Sequence, residues 1–67
     1  MGINVKLDMM LARRRMTLTQ LSERIGVTPA NLSRLKTGKG RAVRFSTLEA
    51  ICYELNCQPG DILEYEE

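Results

Sequence analysis

A chain of 67 residues, 43% hydrophobic and 27% charged, has the make-up of one small globular domain, and so short a chain buries a modest share of its surface, which favours association with a second copy or another partner. No apolar run approaches the roughly 18 residues of a membrane span, and the opening MGINVKLD lacks the roughly 7–15-residue apolar core of a signal peptide, so the chain is expected in the cytoplasm. The net charge of +2 hides a split: residues 1–44 hold all ten Lys and Arg against Asp8 and Glu23, while residues 45–67 hold six acids and no base, as suits a protein that meets a polyanion with one side.

Residues 3–7, INVKL, alternate apolar and polar with β-branched members and predict a short strand. A helix is expected over about 7–15, opened or capped by Asp8, with Leu7, Met10, Leu11 and Arg14 along one face. Arg13, Arg14 and Arg15 close it. They have two readings, as cations suited to the negative end of their own helix or as phosphate contacts.

Thr17 is an N-cap candidate, and Gln20 three residues on completes a capping box. That helix runs to Ile25, with Leu18, Leu21 and Ile25 on one face and Gly26 as the left-handed residue that ends it. Thr28 caps the next helix, Pro29 takes its first position, and Leu32 and Leu35 face inward. Gly38 and Gly40 end it and open a basic loop, TGKGRAVR.

Ser46, with Glu49 three residues later, reads as a second capping box opening a helix over about 47–56 that Asn56 closes. Leu48, Ile51, Cys52 and Leu55 form its buried stripe, and Phe45 and Tyr53 are expected at the core and its boundary. Pro59 opens a short final turn. The tail ILEYEE alternates again, so Glu64 and Glu66 can oppose Lys6 in a small ribbon, made within one chain or between two copies.

Two helices joined around Gly26 with so little loop form a helix-turn-helix unit. With its leucines inward, the second helix turns Pro29, Ala30, Asn31, Ser33, Arg34 and Lys36 outward, with Thr37 at its end. Such a face suits the DNA major groove, where Arg pairs with guanine, Asn with adenine, and Ala meets a thymine methyl. Lys39, Arg41 and Arg44 follow where the chain leaves the groove and can hold phosphates. The competing reading is a plain helical hairpin with a solvated outer face.

The stretch MTLTQLSERIGVTPANLSRLKTGK, residues 16–39, resembles the Cro/lambda-repressor type of helix-turn-helix, the XRE family of bacterial and phage regulators. The marks are Leu21, Ser22 where Ala is usual, IGV at 25–27, Thr28, LSRL at 32–35 and Gly38. FSTLEAICYELNCQPGDILEY, residues 45–65, is similar to the later helices of that family's small single-domain branch. The resemblance implies an all-α fold, a compact five-helix lambda-repressor-like bundle with short terminal strands. It is one domain over 1–67 with the helix-turn-helix core at 17–38. It also implies a sequence-specific double-stranded DNA-binding transcriptional regulator, a repressor acting by operator occupancy, with the oligomeric state left open between a single copy and a homodimer. Pro29, Ala30, Asn31, Ser33 and Arg34 then stand at base-reading positions. Thr17, Thr19, Thr28, Lys36, Lys39, Arg41 and Arg44 stand at phosphate or minor-groove positions. Leu18 departs from the Gln common in the family, and Thr17 and Thr19 are the candidates to replace part of its phosphate contact. The alternative is an antitoxin-like or adaptor protein whose main partner is another protein.

No enzyme, metal site, cofactor or small-molecule ligand is expected. The chain has no histidine, and Cys52 and Cys57 form no CxxC pair, so zinc has too few ligands and the cysteines read as small reduced apolar residues. Asp61 and Glu64 read as solvated surface, and the few aromatics offer no stacking platform for RNA.

Overall fold

A computed structural model describes residues 2–37 and 42–67. In chain order these form β1 (Gly2–Val5), α1 (Leu7–Arg13), α2 (Leu18–Ile25), α3 (Pro29–Lys36), α4 (Phe45–Leu55), α5 (Pro59–Ile62) and β2 (Leu63–Glu66). Five helices match the expected bundle, but "all-α" fits only the bundle, because the two ends of the described chain form a sheet. β1 pairs antiparallel with β2 within one chain, setting Ile3 opposite Tyr65, Asn4 opposite Glu64 and Val5 opposite Leu63. Lys6 Nζ reaches Glu64 Oε2 at 2.9 Å, as the charge pattern suggested, while Glu66 accepts from Asn4 Nδ2 at 3.3 Å instead of meeting Lys6.

The core takes side chains from every helix: Leu7, Met10 and Leu11 of α1, Leu21 of α2, Leu32 of α3, Ile51 and Leu55 of α4, and Ile62 of α5. Val5 and Leu63 of the ribbon pack against it, so the sheet is fastened to the bundle by its inner half. The one buried polar side chain among the described residues, Ser22, donates to the Thr19 carbonyl at 2.7 Å, so its burial leaves no donor unmet.

Local chemistry sets the boundaries. Thr17 Oγ1 accepts from Gln20 N at 3.1 Å while Gln20 Oε1 accepts from Thr17 N at 2.9 Å, the reciprocal box that starts α2. Gly26, at φ 72°, ends it. α1 starts at Leu7, with Lys6 and not Asp8 at the cap, because Met10 N–H already bonds the Lys6 carbonyl at 3.3 Å. It also stops earlier than expected. Arg15 adopts φ 53°, and Met16 N–H turns back to the Leu11 carbonyl at 3.0 Å.

α4 departs most from expectation. Its cap is Arg44, not Ser46, since Leu48 N–H bonds the Arg44 carbonyl at 3.0 Å and the ladder begins before the serine. Phe45 and Tyr53 are 86% and 82% exposed rather than core and boundary residues. Tyr53 lies across the helix from the Leu48–Ile51–Leu55 stripe, and Phe45 opens the helix before that stripe begins. α3 ends at Lys36 with Thr37 as C-cap, and the expected stops at Gly38 and Gly40 lie outside the described residues.

A methyl group added at Gly26 would meet nothing within 4 Å, so only backbone strain opposes it. Gly26→Ala should therefore cost about 1 kcal/mol and lower the thermal midpoint by about 4–8 °C. An unchanged melting curve would contradict the left-handed turn.

Candidate nucleic-acid interface

Thr28 Oγ1 accepts from Asn31 N at 3.3 Å, and Pro29 fills the first helical position, so α3 restarts two residues after the turn. Leu32 then points into the core, with Leu35 half-buried beside it. That single anchor decides the rest of α3. Pro29, Ala30, Asn31 and Arg34 are exposed, and Ser33 is half-buried. Of the five residues expected to read bases, Ala30 and Arg34 therefore lie opposite Leu32, Asn31 and Ser33 flank them, and Pro29 stands exposed at the helix start, with Ser33 the least accessible.

A groove runs between α3 and the segment entering α4. Thr28, Asn31 and Arg34 line it from one side, and Arg44 and Thr47 from the other. Two of the three arginines expected to meet DNA, Arg34 and Arg44, thus flank one depression, and among the described residues neither enters an ion pair. Thr47 was not singled out by the sequence reading. The only signal for it was its place in the first turn of α4, obscured by assigning the cap to Ser46.

The first turn of α4 adds to this electrostatic setting. Arg44 makes no side-chain cap bond, and the turn holds no acid. α2, α3 and α5 each have a capping side chain, and α1 has Asp8 in its first turn. Among the described helices only α4 leaves its first N–H groups without a side-chain partner or an acid. Such an end, carrying the positive pole of the helix, attracts anions.

Other expected contacts fare differently. Lys36 Nζ lies 3.3 Å from Asp8 Oδ1, an ion pair between α3 and α1 that a phosphate would have to displace. Thr17 spends its hydroxyl on the α2 box, while Thr19 is exposed at the start of α2. Leu18 packs against the core, so apolar contact takes the place of a polar brace. Lys39 and Arg41 lie outside the described residues.

Of the three consecutive arginines, Arg14 serves neither its own helix end nor the groove. Its Nε donates to the Leu55 carbonyl at 2.6 Å and its Nη2 to the Asn56 carbonyl at 3.2 Å, closing the C-terminus of α4. Arg24 lies 3.6 Å from Glu54 and ties α2 to α4.

Comparison with known proteins agrees with this geometry. Residues 6–67 match the model of the Cro/C1-type HTH DNA-binding domain. The chain is 65% identical over 65 residues to a Bacillus subtilis (strain 168) protein described as an uncharacterized HTH-type transcriptional regulator, YozG, a match spanning 97% of this chain and 77% of that one.

The arginines separate in a stability measurement. Arg34→Ala should leave folding stability within about 0.5 kcal/mol, whereas Arg14→Ala, which strips charged donors from two carbonyls, should cost about 1–2 kcal/mol by urea unfolding. Arg44→Ser should have the opposite sign. It places a hydroxyl at a cap with suitable extended geometry (φ −73°, ψ 143°) and should stabilise the free protein by roughly 0.5–1 kcal/mol. A destabilised Arg44→Ser variant would mean that the end of α4 is already satisfied.

Proposed function

This chain belongs to the Cro/C1-type helix-turn-helix DNA-binding family, and from that premise we propose that it is a sequence-specific, double-stranded DNA-binding transcriptional regulator, a repressor that acts by occupying its operator. The observation that carries the reading is the outward face of α3, where Ala30, Asn31 and Arg34 stand exposed with Arg44 across the groove.

The mechanism is one of fit. α3 enters the major groove, and its base-reading face is Pro29, Ala30, Asn31, Ser33 and Arg34. Arg34 makes two hydrogen bonds to a guanine edge, Asn31 pairs with an adenine, and Ala30 meets a thymine methyl. Pro29 offers shape and no donor, so the choice of sequence falls mainly on Arg34 and Asn31. Arg44 and the first N–H groups of α4 hold the backbone on one flank, Thr28 and Thr47 line the same groove, and Thr17 and Thr19 serve the backbone at the start of α2. Lys39 and Arg41 belong to this phosphate set on their charge and position in the sequence. Lys36 joins it only by leaving Asp8.

We assign no chemistry to the protein, and its cellular place is the cytoplasm, where its target lies. Two copies bind together, and their half-sites lie about one helical turn, roughly 10 bp, apart. Exposed Ile3, Met9, Phe45, Tyr53 and Tyr65 supply apolar surface for that pairing.

Selection from a random duplex library should return a symmetric motif. Arg34→Ala should cost about 1–3 kcal/mol on that motif and relax choice at one base pair. Arg44→Ala should weaken binding to every duplex alike and reduce the salt slope by about one. Equal losses on the motif and on random DNA for Arg34→Ala would remove it from the readers. A sample indifferent to all duplexes at low salt, yet held by one protein partner, would support the adaptor reading instead.

A further inference from the structure

The C-terminus of α4 closes in a specific way. Asn56 adopts φ 49°, its N–H bonds the Tyr53 carbonyl at 3.3 Å, and the Cys57 N–H bonds the Cys52 carbonyl at 3.0 Å. This pair of backbone bonds brings the side chains of the first and last residues of the turn together, and here both are cysteines. Each is a free thiol, each is half-buried, and both pack against the same core cluster. In this closure the returning residue packs its side chain against the residue whose carbonyl it bonds, the kind of approach a disulfide needs.

We propose that Cys52 and Cys57 are a modification site that forms a reversible intramolecular disulfide within the native fold, by exchange with a small aliphatic disulfide. One protein thiolate attacks a sulfur of the small disulfide, forming a mixed disulfide and releasing one small thiolate. The second protein thiolate attacks the protein sulfur of that intermediate and expels the other small thiolate. The two protons lost by the cysteines end on the two small thiols. The protein dithiol is oxidised and the small disulfide is reduced, with no further reactant.

The surroundings set the pace of this exchange. Burial pushes the Cys57 thiol above its usual range, the adjoining Cys52 and then Asp61 add to this, and Arg14 opposes it. Little of it is thiolate at neutral pH, so exchange there is slow and the equilibrium, not the rate, is the property the fold provides. The same Arg14 holds the Leu55 and Asn56 carbonyls inside the turn that the bond would close. Oxidation therefore adds a covalent closure to the C-terminal end of α4 that Arg14 already holds.

The test is to equilibrate the full chain with mixtures of reduced and oxidised glutathione, folded and in concentrated guanidinium, then quench with acid and weigh the products. The expected product is a monomer about two mass units lighter with no glutathione attached. Its equilibrium constant should be at least about tenfold larger in the folded protein. By linkage the oxidised protein should then melt several degrees above the reduced one. An equal or smaller constant in the folded protein would overturn the proposal, as would glutathione adducts or crosslinked dimers as the main product. Cys52→Ser and Cys57→Ser should each abolish the rise in melting temperature on oxidation, and a rise that persists in either would also overturn it. If either variant does not fold, the comparison of folded and denatured wild-type chain still decides.

Discussion

Everything the interface offers depends on the backbone at Gly26. A left-handed residue there ends α2, and Thr28 with Pro29 restarts the chain at once. With so short a turn α3 has little freedom relative to α2, and Leu32 is drawn into the core that Leu21, Ile51 and Leu55 already share. Anchoring one leucine of an eight-residue helix fixes which side faces out. Ala30 and Arg34, four apart, follow from it as a ridge on the far side. The outward face of α3 is thus a consequence of packing, set by Leu32 and not by contacts of its own.

Charge is sorted by the same packing. Lys6, Arg14, Arg24 and Lys36 are each held by a carboxylate or by backbone carbonyls of another element. These contacts tie the start of α1 to β2, its end to α4, α2 to α4 and α3 to α1. Exposed pairs of this kind contribute little stability singly, but they occupy cations that would otherwise add to a diffuse positive field. Arg34 and Arg44 escape this use and face one groove. Among the described residues, a basic half of the chain that looked uniform in the sequence divides into cations held by other elements and unpaired ones, of which Arg34 and Arg44 face the groove.

Much of this was legible beforehand because it depends on neighbours in sequence. Thr17 with Gln20, Gly26, Thr28 with Pro29, and Asn56 act over three or four residues, and each appears where its chemistry requires. The outward set on α3 was legible for the same reason, since leucine spacing alone orients a helix. Contacts between distant elements were not. Its spacing set Arg14 on the face of Leu7, Met10 and Leu11, but nothing in RRR says what it meets there, since its partners lie about forty positions away across the bundle. Asp8 looked like a local cap and instead meets Lys36. Phe45 and Tyr53 looked like core by their apolar character, yet the stripe through Leu48, Ile51 and Leu55 already fills the inner side of α4.

The two ends of α4 show how far the local reading carries and where it stops. Ser46 followed by Glu49 has the form of a cap, and a helix that started there would have been complete in itself. Beginning at Phe45 instead, the helix passes over its own capping residue, and among the described residues no side chain caps its first turn beside Arg44 and Thr47. The opposite end is closed three times over, by the left-handed Asn56, by the returning Cys57 N–H and by the guanidinium of Arg14. An isolated protein gains nothing from so uneven a helix, because a hydroxyl at position 44 would satisfy the open end at little cost. That open end suits an anion, and under the proposed function a phosphate beside the groove is the anion that the exposed side of α3 would bring with it.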